Sequence, residues 1–261
     1  MLLKKYAGKF PENVSFSWFM DRKGEVYRSM DGRTTLRFYE QGFSYFIKIH
    51  TGIGWREIVK NLVQFKWPVL GAKNEYLAIR RLTSLGIDTM TLVGYETKGW
   101  NPAKIKSFVV TEELTDTISL EDYCANWSES SPKFSEKQLL IRKVAQIAKK
   151  MHESGVNHRD FYICHFLMNK TVHVTHDVRL FLIDLHRAQL RSKIPERWLI
   201  KDLSALYFSA MHIGLTKRDI FRFIKIYGGC ALRDCFEADA KLWNKVGQKA
   251  ERLNRKIEGA K

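Results

Sequence analysis

The stretch HESGVNHRDFYICHFLMN, residues 152–169, sets an imidazole, a guanidinium and a carboxylate side by side at His158, Arg159 and Asp160. Gly155 stops a helix-like pattern before them and an apolar run follows, so the loop carrying Asp160 is anchored at both ends. A second carboxylate, Asp184, closes the apolar strand-like LFLID. Upstream, Lys48 lies inside YFIKIH, where a buried ammonium needs a carboxylate or an anionic ligand, and Glu75 on the following helix is the candidate carboxylate. Taken singly, each of these is ordinarily a surface residue or a helix cap. Together and in this chain order, a lysine and glutamate pair, a carboxylate on a held loop and another at a strand end are the inventory for phosphoryl transfer from a nucleotide.

The sequence around these residues has the periodicities of strands and helices that would hold them. EVYRSM (25–30), TTLRFYE (34–40) and FSYFIKIH (43–50) are β-branched and aromatic and are parted by DGR and QG turn signals, which predicts an antiparallel meander. GWREIVKNLVQFKWP then places Trp55, Ile58, Val59, Leu62 and Phe65 at helical spacing before Pro68. Such a stripe is more often packed on its own domain than offered to a lipid or a partner. A second helix is expected over AKNEYLAIRRLTSLG, stopped by Gly86, and a strand over SFVVTEEL (107–114). From Ser119 the pattern turns helical. SLED (119–122) and SEKQ (135–138) have the form of capping boxes, the second opening a helix with Leu140, Val144, Ile147, Ala148 and Met151 on one face and Gly155 at its end. VRLFLID (178–184) is a strand-like island, and DLSALYFSAM, TKRDIFRFIKIY and DAKLWNKVGQKAERLNRKI read as three more helices. The chain therefore reads as α+β, with a small β-rich lobe over 1–110 joined directly to a larger helical lobe over 111–261.

The 261 residues are 45% apolar and 13% aromatic, enough for one large core or two modest ones. A net charge of +16 exceeds what solubility asks of a small domain and implies an anionic partner, without choosing among nucleic acid, membrane, acidic protein and phosphorylated substrate. The longest run free of charged residues, 203–216, is too short to cross a bilayer, and the N-terminus lacks the apolar region of a secretory signal. Both point to a cytoplasmic address. Cys124, Cys164, Cys230 and Cys235 form no CxxC pair or dense framework, so reduced, mostly packed thiols are expected.

VLGAKNEYLAIRRL, TISLEDYCA, NHRDFYICHFL, IDLHRAQLR and KDLSALYFSAMHIGLTKRDIFRF resemble the lipopolysaccharide core heptose(I) kinases, over about residues 25–225. The resemblance implies a two-lobed protein-kinase-like fold, with ATP and Mg²⁺ as cofactors. It makes Asp160 the base that accepts the sugar hydroxyl proton and Asp184 the Mg²⁺ ligand at the nucleotide phosphates. Lys48 grips the α- and β-phosphates with Glu75 holding it. His158 and Asp202 brace the catalytic loop, Asp202 from the head of the DLSAL helix, where it could also be the N-cap. Glu112 to Leu114 form the hinge that offers backbone groups to adenine. The acceptor is the first heptose of the lipopolysaccharide inner core, at O-4, met at the cytoplasmic face of the inner membrane. The family is also associated with acyl carrier protein.

Three departures from the general kinase pattern stand out. The first strand turn, SMDGRTT, has one glycine, which shifts phosphate contact toward Arg33. The residues after Asp184 are Leu185 and His186 where kinases have Phe-Gly. His165 stands where a kinase has its metal-binding Asn, and an imidazole is a softer ligand than Mg²⁺ prefers, so a packed core histidine competes with the ligand role. Arg187, Arg191, Lys193 and Arg197 follow Asp184 and suit the carboxylates and phosphates of an inner-core acceptor. The C-terminal helix alternates Leu242, Val246, Leu253 and Ile257 with Lys241, Lys245, Lys249, Arg252 and Lys256. Another sugar or a protein side chain is the alternative acceptor. A metal-dependent hydrolase built on His158, Asp160, His165, Asp184 and His186 leaves Lys48 and Glu75 unexplained, and a nucleic-acid-binding protein leaves the carboxylates idle.

Overall fold

Alternation along the first strands decides the N-terminal architecture. The computed structural model describes residues 2–12, 14–30, 32–64, 68–170 and 178–259. After a 3₁₀ turn (Lys4–Lys9) and the short helix α1 (Phe16–Met20), strands β1 (Glu25–Met30), β2 (Arg33–Glu40) and β3 (Phe43–His50) pair antiparallel. Along β3, Tyr45, Ile47 and Ile49 are buried on one face, which puts Lys48 on the other. Helices α2 (Gly54–Val63) and α3 (Lys73–Ser84) precede β4 (Leu92–Lys98) and β5 (Lys106–Glu112), and the sheet runs in the order β1-β2-β3-β5-β4. Its core joins Leu36, Phe38, Tyr45, Ile47, Phe108 and Val110 to Tyr6, Phe10 and Phe19 of the N-terminal turn and α1.

The helical part begins with β6 (Thr117–Ser119), α4 (Leu120–Tyr123) and α5 (Phe134–Glu153). There follow β7 (Val156–Asn157), β8 (Phe166–Asn169), β9 (Phe181–Leu182), β10 (Gln189–Leu190), α6 (Glu196–Ser209), α7 (Lys217–Gly228) and α8 (Leu232–Glu258). α5 lies against α7 and α6 against α8, while β6-β8-β9 and β7-β10 form two small sheets. Buried Asp219 ties α7 to α5 through Lys137 at 3.2 Å and closes a capping box with Thr216. By its contacts the chain divides into two compact units, a β-rich one of residues 1–81, 90–115 and 185–187 and a helical one of 82–89, 116–184 and 188–261.

Several expectations are corrected. The α2 stripe is not packed on its own domain: Ile58 is buried, but Trp55, Val59 and Leu62 are exposed, and Phe65 lies outside the described residues, as does Asp31 of the first turn. Ser135 is not a cap, because α5 starts at Phe134 with Lys133 as N-cap. Only Phe181 and Leu182 of VRLFLID are strand, since β8 offers them just two paired positions. Asp202 is neither helix head nor N-cap, because α6 starts after Pro195 and leaves Asp202 in its buried interior. β4 was not foreseen. Cys230, in the connection after α7, and Cys235, within α8, are joined in a disulfide, so the expectation of free thiols holds only for Cys124 and Cys164. Burial pushes those two thiols up, to about 12 and about 11, which disfavours the thiolate form. No helix among the described residues is long and apolar enough to cross a membrane.

Candidate active site

In the β-rich unit, β3 presents Lys48 on the face opposite the core, and the first turn of α3 brings buried Glu75 to it. Lys48 Nζ donates to Glu75 Oε1 at 2.6 Å. Arg33 opens β2 directly across from buried His50 at the end of β3. Burial first, then the nearby charges of Arg33, Lys48 and His186, push the His50 imidazole down to about 3. The cations Arg33 and Lys48 thus lie near one buried imidazole, positive charge of a kind suited to a polyphosphate. Gly32 and Gly52, both at positive φ, let the first turn press against the start of α2, where a side chain at Gly32 would run into the Gly52 carbonyl. Glu112 is committed within this unit: its amide donates to the Thr91 carbonyl at 2.9 Å, and its carboxylate accepts from the Tyr6 hydroxyl at 2.7 Å. The Glu113 amide donates to Ser44 O, and half-buried Leu114 follows.

In the helical unit the loop bearing Asp160 is fixed from beneath. Asp202, fully buried, accepts the His158 amide at 2.7 Å on one oxygen and the Arg159 amide at 2.8 Å on the other. This doubly bonded carboxylate holds Arg159 at φ 75°, a left-handed value that a non-glycine residue adopts only when its surroundings enforce it. The His158 Nε2 donates to the Ile183 carbonyl at 2.9 Å, and burial lowers its pKa, so the ring is neutral with its lone pair on Nδ1. Beside it, stacked at 17° with centroids 5.7 Å apart, lies His165.

His165 links the two acidic segments. Its Nδ1 donates to the Asp160 carbonyl at 2.7 Å, and its own carbonyl accepts the Ile183 amide at 2.9 Å. Its Nε2 stands 3.6 Å from Asp184 Oδ2. With Nδ1 donating to a carbonyl, Nε2 is the ring nitrogen that faces the carboxylate, and the two atoms together present a donor pair to a cation. Asp184 itself has φ 59°, so its backbone too is held in an uncommon conformation. Among the described residues no three His, Cys, Asp or Glu side chains form a metal cage.

The basic residues after Asp184 divide between the units. Arg187 belongs to the β-rich one. Arg191, Lys193 and Arg197 belong to the helical one, where the Arg191 amide donates to Gly155 O and its guanidinium to Gln189 Oε1 at 2.6 Å. Lys193 and Arg197 are exposed.

With this geometry in hand, known proteins can be compared. The sequence profile of the Lipopolysaccharide kinase (Kdo/WaaP) family matches residues 17–227. The chain belongs to this family. It is 50% identical over 236 residues to the lipopolysaccharide core heptose(I) kinase WaaP of Escherichia coli K12, covering 90% of this chain and 89% of that one. Identity to the enzyme of the same name from Pseudomonas aeruginosa is also 50%, over 88% of this chain and 87% of the relative. A solved structure of WaaP in complex with acyl carrier protein superposes with a TM-score of 0.84 at 42% identity, covering 97% of this chain and 98% of that one. The fold is accordingly the protein-kinase-like α+β fold of the Kdo/WaaP family, and kinase chemistry implies ATP.

Three neighbours of the candidate residues escaped the sequence. His50 enters through its proximity to Arg33, Lys48 and His186, a consequence of strand register that spacing alone does not reveal. Trp198 lies under three cations, with Arg159 at 5.1 Å, Arg197 at 5.3 Å and Lys201 at 5.7 Å from its ring centroid. His152, buried on α5, has Nε2 3.4 Å from Asp202 Oδ2 and Nδ1 2.9 Å from the Tyr227 hydroxyl. The Arg197-Trp198-Lys201 spacing on α6 was the one signal available for any of them.

Proposed function

We propose that this chain transfers the γ-phosphoryl group of ATP to O-4 of the first heptose of the lipopolysaccharide inner core. Family membership supports the reaction class, and identity near one half to heptose(I) kinases along most of the chain supports the acceptor. The single observation that carries the mechanism is the double clamp on the loop: Asp202 accepts the amides before Asp160, and His165 donates to the carbonyl of Asp160 itself. A base that must meet one hydroxyl needs such fixation.

In this reading the Asp160 carboxylate takes the proton of the heptose hydroxyl as that oxygen bonds to the γ-phosphorus, and the bond from γ-phosphorus to the bridging oxygen breaks to release ADP. Lys48, held by Glu75, binds the α- and β-phosphates, and Arg33 adds to the positive charge there. Glu112 and Leu114 carry the chain past the adenine as the hinge. His158 and Asp202 brace the loop. The Asp184 carboxylate fits Mg²⁺, which takes one or two carboxylates and completes its shell with phosphate oxygens and water: Asp184 would hold it, with the Nε2 of His165, 3.6 Å away, as a softer second donor. When bound, the ion neutralises charge on the transferring phosphates. Arg187, Arg191, Lys193 and Arg197 meet anionic groups of the acceptor, whose lipid anchor places the reaction at the cytoplasmic face of the inner membrane. The β-rich unit is then the nucleotide lobe and the helical unit the catalytic and acceptor lobe.

An acyl carrier protein is a fitting partner. Lys245, Lys249, Arg252 and Lys256 line a groove on α8, crowded enough that burial and then Arg252 lower the pKa of Lys249. An apolar cavity of about 180 Å³, lined by Leu140, Leu206, Phe223, Trp243 and Val246 among others, lies in the same unit. Both suit an acidic partner with an apolar contact.

The test is ATP-dependent phosphorylation of core lipopolysaccharide from cells lacking this enzyme, with the product located by phosphorus NMR. Asp160→Ala is expected to lower turnover by about 10² to 10⁴ with ATP affinity nearly unchanged. Undiminished turnover removes the base assignment, and absence of phosphate on heptose in the wild-type reaction removes the acceptor.

A further inference from the structure

Helix α2 turns an apolar face outward. At about 100° per residue, Leu62, Trp55, Val59 and Val63 follow one another around an arc roughly a quarter to a third of the helix wide. All four are exposed, Trp55 to 57% and Val63 to 73%. Arg56 and Lys60, also exposed, come next around the wheel and give the arc a cationic edge. Only Ile58 of this helix is buried in the β-rich unit. A second feature adjoins it. The amide of Gly54, the first residue of α2, donates to the Ala103 carbonyl at 3.0 Å, and Gly52, at φ 94°, presses on the same carbonyl with no side chain between. The loop carrying Ala103 also carries Trp100, which at 91% is the most exposed large apolar residue described, and Lys98, Lys104 and Lys106 around it are exposed.

We propose that this face of α2, together with the Trp100 loop beside it, is a docking surface for an anionic phospholipid bilayer, with α2 lying in the plane of the headgroups. The composition is that of an interfacial helix: an aliphatic and tryptophan face that enters the boundary of the acyl chains, with lysine and arginine at its edge among the phosphates. Charge decides the occupant. A second copy of the chain would bring two cationic edges and two bodies of net charge +16 together, whereas an anionic headgroup layer neutralises both. The inference deepens the reading of a lipid-linked acceptor. Vesicle binding is measured with neither acceptor nor nucleotide present, so its failure leaves the kinase reading standing.

The full chain is mixed with extruded vesicles of phosphatidylethanolamine and phosphatidylglycerol and sedimented, with phosphatidylcholine vesicles as the uncharged comparison. Binding to the anionic vesicles is expected, weakening as salt rises from about 0.05 M to about 0.5 M. The double change Trp55→Ser with Leu62→Ser is expected to lower the vesicle partition coefficient by roughly tenfold or more. Val63→Glu, at the most exposed position of the helix, gives an independent variant with the same expected direction. Phosphorylation of a soluble core oligosaccharide without lipid should match wild type for all variants, which also checks that they fold. Wild-type-like vesicle binding by both variants overturns the assignment of this face. Absent vesicle binding, with a dimer in light scattering that the same variants dissociate, overturns it in favour of a second copy.

Discussion

Asp202 commits both of its carboxylate oxygens to the loop that carries Asp160. It is an acid in the middle of a helix, where a carboxylate has neither capping nor dipole advantage, and its burial is tolerated because two backbone amides of a different segment donate to it. Asp202→Asn keeps the shape but turns an N–H₂ toward one of those amides. We expect a loss of roughly 3 kcal/mol in chemical denaturation. In the fraction that stays folded, kcat falls while the KM for ATP changes little, because Lys48 and Glu75 are untouched. His50 gives a prediction of a different kind. Its folded pKa, about 3, lies below the ordinary value of about 6.5, so the unfolded chain takes up the proton first. Its contribution is therefore complete above about pH 6.5 and is lost as pH falls toward 3, at up to about 1.4 kcal/mol per pH unit. Buried His158 acts in the same direction. Denaturation measured between about pH 6.5 and 5, where most carboxylates remain ionised, should show roughly half the slope in His50→Gln. An unchanged slope would mean that His50 carries a proton in the folded protein.

Elements were legible where one pattern served one purpose. β2 and β3 alternate against a single core, and they and the exposed strand β1 are parted by turn residues, so the bounds of all three in sequence and structure nearly coincide. β4 was opaque because Gly94 breaks its alternation at a register shift and its partner is supplied from outside the segment, by β5. The start of α5 misled because SEKQ has capping composition one residue inside the helix, and the interior place of Asp202 was hidden because α6 begins on Pro195 with no polar cap. Among the candidate residues, Lys48, Glu75, Asp160 and Asp184 could be picked out by type and order. The clamp through His165 could not, since it depends on which ring nitrogen meets which carbonyl. Gly155 was legible only as a helix stop. In the structure it sits at φ 78°, and a side chain there would run into the Arg191 carbonyl, whose own amide donates back to Gly155 O at 2.8 Å. Gly155→Ala therefore combines backbone strain with a clash against the Arg191 backbone just past β10 and should cost about 2 to 3 kcal/mol. A melting temperature within a degree or so of wild type would show that the β7-β10 pair yields without penalty.

Over the whole molecule the excess positive charge is distributed by task. Part of it bears on His50 in the β-rich unit, part lines α8, part edges α2, and part follows Asp184. The last group was read from sequence as one acceptor cluster, but within it Arg191 is bound to Gln189 and packed at Gly155, while Lys193 and Arg197 stand exposed on the helical unit. The exposed pair is the part able to meet an acceptor without disturbing the fold. Arg197, already over the Trp198 ring, is also preoriented, which lowers the entropy lost when it binds an anion. Neutralising both, Lys193→Gln with Arg197→Gln, should remove roughly 2 kcal/mol of attraction and raise the KM for lipopolysaccharide about thirtyfold at low salt. The gap between variant and wild type should close as salt rises, since the lost interaction is the one that salt screens. The KM for ATP and the partition onto vesicles free of lipopolysaccharide should stay as in wild type, which separates this pair from the α2 face. A short neutral heptoside is the deciding substrate: equal losses on it would show that Lys193 and Arg197 hold the loop in place rather than the acceptor.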